Sequence, residues 1–189
     1  KSTEIRYTTD GSEPNNNSTL YEKPFNQLTK GTVKAISYDP EADKSSPVAS
    51  IDFDICKAKW TLMEVDSERG LKTIDDVPES VYFFRDTKFP VDVMVDLGEV
   101  LNISGFTYLP DQSRGGQGII STYEFYISKD GKRWGKPLSK GEFSNIKNSP
   151  VWQKKTFAPS KGRYLKLRAL STTTEEVKVG VAEIGVITE

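Results

Sequence analysis

Histidine is absent from these 189 residues, and cysteine occurs once, as Cys56. The first absence removes Ser–His and Cys–His nucleophile pairs, the HExxH zinc motif and the commonest general base. The second excludes an internal disulfide and any cysteine-rich zinc site, and a lone thiol is most often a buried structural residue. Neither sign of charge predominates: 26 Lys and Arg stand against 27 Asp and Glu, for a formal net charge of -1. Without a basic stripe, the electrostatic footprint of a nucleic-acid partner is missing. No apolar run is long enough to cross a bilayer, so no membrane insertion is expected. A signal-peptide pattern is lacking too, and the chain opens on a strand-like IRYTT, so we expect a piece of a longer protein. Catalysis would have to rest on carboxylates, Lys, Tyr or Arg. Nothing marks two acids as a converging glycosidase pair, and the chain is expected to be non-catalytic.

What is present is short alternation. Helical periodicity is scarce, and Gly, Pro, Asn and Asp punctuate the chain every several residues, the pattern of an all-β sandwich. In the first segment Ile5 and Tyr7 alternate with Arg6 and Thr8 before an Asp10-Gly11 turn and a polar Asn15-Asn16-Asn17 loop. Val33 and Ala35 then alternate with Lys34 and Ile36, and Ile51, Phe53 and Ile55 form a third strand. From residue 56 onward the strands are stronger. Val91, Val93, Val95 and Leu97 oppose Asp92, Met94 and Asp96; Leu165, Leu167 and Ala169 oppose Lys166 and Arg168; Val181, Glu183 and Gly185 oppose Ala182, Ile184 and Val186. The expected division is therefore 1–55 and 56–189.

The most informative stretch is residues 103–134, ISGFTYLPDQSRGGQGIISTYEFYISKDGKRW. Two strand-like runs flank a Gly-rich loop. In the first, Phe106 and Tyr108 share one face and Ile103, Thr107 and Leu109 the other. In the second, Tyr123, Phe125 and Ile127 oppose Glu124, Tyr126 and Ser128, and Asp130-Gly131 then turns the chain toward Trp134. SGFTYLP, YEFYIS, DGK and the later RYLKLRALS and VAEI resemble, in order, the discoidin or coagulation factor V/VIII type C domain, whose bacterial branch includes the family 32 carbohydrate-binding modules. That resemblance covers about residues 58–189. IRYTTDGSEP, LYEKPF and GTVKAISYD resemble the small immunoglobulin-like domain at the C-terminal end of chitobiases and β-hexosaminidases, in a copy that starts one strand late. Together they imply a small immunoglobulin-like β-sandwich as spacer, followed by a discoidin-like jelly roll.

Sugar recognition needs an aromatic face for the C–H surface of the ring and planar polar groups for its hydroxyls. In the resembled family these come from loops at one end of the sandwich. Residues 73–88 correspond to the first loop, where Phe83 falls at a position often held by a ligand-contacting His. Phe83, Phe84 and Arg85 then line the site, or Tyr82 and one Phe anchor the loop in the core. Residues 111–118, DQSRGGQG, correspond to the second, with Asp111 and Gln117 where relatives hold Arg and Asn, and Arg114 able to supply a guanidinium from a shifted position. Residues 171–180 correspond to the third, with Lys178 where relatives often carry Trp. Lys178 and Glu176 are rim candidates on what is otherwise a polar loop.

The family also often holds one structural Ca²⁺, a hard cation that takes oxygen ligands. Asp75 and Glu183 match its carboxylate positions, whereas Asp76 replaces the family's Gly and Val77 its second Asp, and losing that carboxylate weakens the site. No other cofactor is expected. The implied role is a non-catalytic accessory region of a secreted glycoside hydrolase, of chitobiase/β-hexosaminidase or α-L-fucosidase type, acting in the periplasm, at the cell surface or outside the cell. Its expected partners are a glycan or terminal sugar and the catalytic domain of the same parent chain. The changed loop residues equally allow a structural spacer or protein-interaction module without sugar binding.

Overall fold

The computed structural model describes every residue except Lys1, Ser2, Asn26, Leu28, Thr29, Asp66, Thr87 and Glu175. The chain is almost entirely antiparallel β, as its alternation predicts, and divides into two compact units that meet in sequence at Ala58 and Lys59.

The first unit holds β1 (Glu4–Thr8), β2 (Thr19–Leu20), β3 (Gly31–Asp39), β4 (Lys44–Ser45) and β5 (Ala49–Phe53). The nine-residue β3 is its axis. β1 pairs along one edge of β3 and β4 and β5 along the other, while β2 extends the sheet beyond β1. Among the described residues these strands make one connected five-stranded sheet. Ile36 is the one large apolar side chain buried among them.

The second unit holds β6 (Thr61–Leu62), β7 (Tyr82–Arg85), β8 (Val91–Leu109), β9 (Ile120–Ser128), β10 (Ser139–Glu142), β11 (Gln153–Thr172), β12 (Lys178–Val181) and β13 (Glu183–Thr188). β8 and β11 run the height of the sandwich and serve both of its layers. Val91–Asp96 of β8 pairs the end of β11 and β6, whereas the stretch from Leu101 to Leu109 pairs the start of β11 and β13. Register shifts in β11 between Thr156 and Ser160, and between Gly162 and Tyr164, mark where the pairing breaks. Bulges of this kind bend and twist strands, which lets one sheet fold onto itself.

The core lies between the folded halves. Val93, Val95, Phe106, Tyr108, Phe125, Leu165, Leu167 and Ile184 are fully buried, and Phe106 stacks on Phe125 at 4.1 Å between ring centroids. Phe143 joins them, stacking on Tyr123 at 4.2 Å. The alternation read for β8 holds for Phe106 and Tyr108, but Ile103 and Leu109 are buried as well. Both faces of β8 are therefore covered there.

Candidate functional site

At one end of the second unit the separate two-stranded sheet β7–β12 meets the 111–118 loop. β7 alternates as a strand must, so its four residues part company. Tyr82 and Phe84 touch edge-on at 4.8 Å. Phe84 is 5% exposed, so it belongs to the core and not to a ligand surface. The expectation that it lines a site is corrected by the period of two. Phe83 is half-buried and stands opposite Gly180 on β12, while Arg85 is exposed and stands opposite Lys178.

Gly180 is required here by close approach. A Cβ on it would fall 2.5 Å from the Gln117 carbonyl oxygen and 2.9 Å from the Phe83 ring. The Gly180 N–H donates to the Gly118 carbonyl at 2.8 Å, which fastens the loop to β12. From below, the buried Tyr108 hydroxyl donates to the Gly180 carbonyl at 3.0 Å and accepts from the Ile120 N–H at 3.2 Å. Burial holds that phenol protonated far above its ordinary range.

Inside the loop Asp111 is an organiser, not a ligand group. It is 2% exposed, and its carboxylate accepts the Ser113 N–H, the Ser113 hydroxyl and the Gln117 N–H, each at 2.9 Å. Burial pushes its pKa up. The two amides, the Ser113 hydroxyl and the nearby Lys178 charge outweigh burial, and the net direction is down. Its expected contact with a ligand is therefore corrected: the side chain faces inward to satisfy backbone amides. A turn from Ser113 to Gly116, closed at 3.0 Å and with Gly115 at φ 83°, presents Arg114 at its corner. Arg114 is exposed and makes no hydrogen bond or ion pair with a described residue.

Three residues from three segments converge on one spot. The Lys178 ammonium donates to the Gln117 side-chain oxygen and lies 4.3 Å over the Phe83 ring. Lys178 is 7% exposed, so nearly all of its side chain is part of the wall. An aromatic ring, an amide and an ammonium thus meet at one place, with Arg114 on the adjoining turn. Glu176 lies on the exposed third loop, where its carbonyl accepts the Lys178 N–H at 2.9 Å.

The metal positions diverge. Glu183 is 1% exposed, whereas Asp75 is exposed, with its carboxylate taken by the Val77 N–H at 3.0 Å and the Ser80 hydroxyl at 2.8 Å. Thr73, also buried, leaves its hydroxyl without a hydrogen bond near this loop. Val77 has no side-chain oxygen to give, and no three acids form a metal cluster among the described residues. With Asp75 and Glu183 as its acids, a calcium ion would take its remaining ligands from backbone carbonyls and hydroxyls, and the loop itself is tied by Asp75 and Ser80.

Two features escaped the sequence reading. On the outer face of the sheet, buried Lys166 lies 4.6 Å over the Tyr126 ring and 4.6 Å over the Trp134 ring, and burial pushes its pKa down. Beside β7 lies a cavity of about 490 Å³ that takes in Arg85, Tyr82, Met63 and Met94. Alternation placed Lys166 and Met94 on the outward face of their strands, but no local signal says what covers that face.

Comparison with known proteins places the chain. Residues 66–184 match the family described as F5/8 type C domain. Residues 1–53 match a family described as Fn3 associated, a different description from the chitobiase-type domain expected there. A sialidase of Micromonospora viridifaciens is 29% identical over 142 residues, which is 69% of this chain and 21% of the sialidase. The chain thus spans about a fifth of that relative's length. Among solved structures, a Clostridium perfringens module in complex with GalNAc-β-1,3-galactose superposes with TM-score 0.57 at 24% identity, over 69% of this chain and 94% of that one. The C-terminal domain of a Bacteroides fragilis chitobiase gives TM-score 0.59 at 19% identity, over 72% and 98%. These likenesses are of fold.

Proposed function

Because the chain belongs to the F5/8 type C domain family, we propose that it is a non-catalytic glycan-binding region of a secreted glycoside hydrolase. In this reading it holds the parent's catalytic domain on its substrate, and the parent is a chitobiase/β-hexosaminidase or a fucosidase. The convergence of Phe83, Gln117 and Lys178, with Arg114 beside them, carries the proposal. A sugar ring rests its C–H face on Phe83, the Gln117 amide and Lys178 ammonium meet its hydroxyls, and Arg114 closes from the turn. The solved relative with GalNAc-β-1,3-galactose has the same fold, and its ligand indicates the class to try first.

Few groups contact the sugar, so affinity is weak, with Kd of about 0.1–1 mM, or about -4 to -5.5 kcal/mol. Weak binding suffices, because tethering raises the concentration of the catalytic domain near its substrate. Calorimetric titration with a glycan panel tests the reading. Saturable binding lost in Phe83→Ala and Gln117→Ala supports it. One observation favours a second reading, a spacer or protein-interaction module: the Lys178 ammonium is already engaged by Gln117 and Phe83. Failure of every glycan to bind, together with tight association to the parent catalytic domain, would establish that second reading.

A further inference from the structure

We propose that the cavity of about 490 Å³ beside β7 is a second saccharide site, distinct from the Phe83 site. It rests on the glycan-binding reading only for the class of ligand. Its volume falls within the range of small-molecule sites, which run from about 300 to 1,000 Å³. Tyr82, Met63 and Met94 give it apolar wall, and Glu64, Arg85 and Asp86 give it charge. Asp92 also borders it, but that carboxylate is held by a two-pronged bond to Arg168, at 2.8 Å on each arm.

The unusual feature is the pair Glu64 and Arg85. Both border the cavity, and neither makes a hydrogen bond or ion pair with a described residue, including the other. Opposite charges that border one hollow and do not close on each other leave room for something that joins them. Glu64 is moreover held at φ 61°, a backbone region that a non-glycine residue enters at a cost. It follows directly on Met63, whose N–H donates to the Met94 carbonyl at 2.9 Å and ends the pairing with β8. The strained residue is the one that turns the chain at the cavity's margin.

A pyranose unit suits this lining. Its C–H face packs on Tyr82 and the thioether side chains, which adapt to irregular shapes. Vicinal hydroxyls meet the planar guanidinium of Arg85 in two-point fashion, and hydroxyls across the ring donate to Glu64. An apolar ligand would leave both charges desolvated and unanswered, which is costly.

Met63 and Met94 are the only two methionines of the chain, so methyl-¹³C-methionine labelling gives two NMR signals, both from this cavity. Methyl glycosides of galactose and N-acetylgalactosamine, followed by uronic-acid disaccharides, are titrated to millimolar concentration, with the Gln117 and Lys178 amides observed in parallel. The expected result is saturable movement of both methyl signals with at least one probe, weakened at least tenfold in Glu64→Ala and in Arg85→Ala. Both substituted residues are exposed, and unchanged melting temperatures establish that the variants fold. Movement of the Gln117 and Lys178 amides with the methyls still would overturn the second site and leave the first. Methyl movement that persists unchanged in both variants would overturn it as well. If neither set moves, both sites fail.

Discussion

The two units share one kind of strand and differ in where their apolar side chains end up. In the first, Ile5, Ile51 and Phe53 alternate as well as any residues in the chain, yet all are exposed, Ile51 by 57%. In the second, Val93, Val95, Phe106 and Phe125 follow the same period and are sealed from solvent. The difference lies in the layers. The described strands of the first unit bury one large apolar side chain, Ile36, whereas the sheet of the second folds over through β8 and β11 and encloses many. Alternation writes the faces of a strand, and only a second layer turns a face into a core. A site that needs fixed geometry is correspondingly better placed in the second unit.

The sharpest way to break this comparison is to delete one aromatic ring from each unit. Phe125→Ala removes a fully buried ring stacked at 4.1 Å on Phe106 and is expected to cost about 3–5 kcal/mol. Phe53→Ala removes an exposed ring and is expected to change stability by no more than about 0.5 kcal/mol. Hydrogen exchange followed separately in the two units measures each. Comparable losses at both positions would show that the first unit has a core the described residues do not display.

Tyr108→Phe comes next. Its hydroxyl serves the Gly180 carbonyl and the Ile120 N–H, and removal leaves two buried backbone groups without that partner, at a cost of about 1–3 kcal/mol. Because Gly180 faces Phe83 and bonds to Gly118, the loss should reach glycan binding too. Calorimetry on the folded variant is expected to show weaker binding than the stability change alone explains. Wild-type affinity would mean that β12 holds its place without this support.

The phenol illustrates what sequence conveyed and what it did not. Alternation put Tyr108 inside, and the motif order around it pointed to the scaffold. Its role as a clamp under the site depends on Gly180, seventy-two residues away, and no periodicity carries that. The same limit divided the predicted site. Phe83, Gln117 and Lys178 were found from loop positions and do converge, because family resemblance fixes loops in space. Adjacency along the chain suggests Phe84 and family position suggests Asp111, but strand parity and amide satisfaction turn both inward. Arg85 was grouped with Phe83, and it borders a cavity whose other walls, Met63 and Glu64, lie in a segment with no motif of its own.

Acid weakens the second unit by a smaller margin. Arg163, bonded at 2.7 Å on each arm, holds the Asp96 carboxyl below its ordinary value, and the Gln117 and Ser113 amides do the same for Asp111 against the opposing effect of burial. A carboxyl with a lowered folded pKa stabilises above its unfolded value, about 3.9, and loses that contribution as pH falls through the folded value. The second unit is therefore expected to hold full stability down to about pH 4 and to weaken progressively below it. Asp111→Asn should lower stability at neutral pH by about 1 kcal/mol and flatten the acid slope, as read from denaturant midpoints at several pH values. An unchanged slope would assign the acid sensitivity to the other lowered carboxyls of the unit, Asp96 and Asp130.

At Arg114 the expected change in stability is again small, and it separates architecture from recognition. The residue sits at the corner of the Ser113–Gly116 turn, exposed and without a described partner, and Gly115 beside it has open space where a Cβ would stand. Arg114→Ala should leave the denaturant midpoint within about 0.5 kcal/mol of wild type, because nothing in the fold leans on it. If the glycan-binding proposal holds, binding should nevertheless fall several-fold, because a guanidinium offered to solvent from the loop that carries Gln117 finds its partner in the ligand. If Arg114→Ala destabilises the unit, the turn is a structural brace. If it changes neither stability nor binding, the site closes without this turn and rests on Phe83, Gln117 and Lys178.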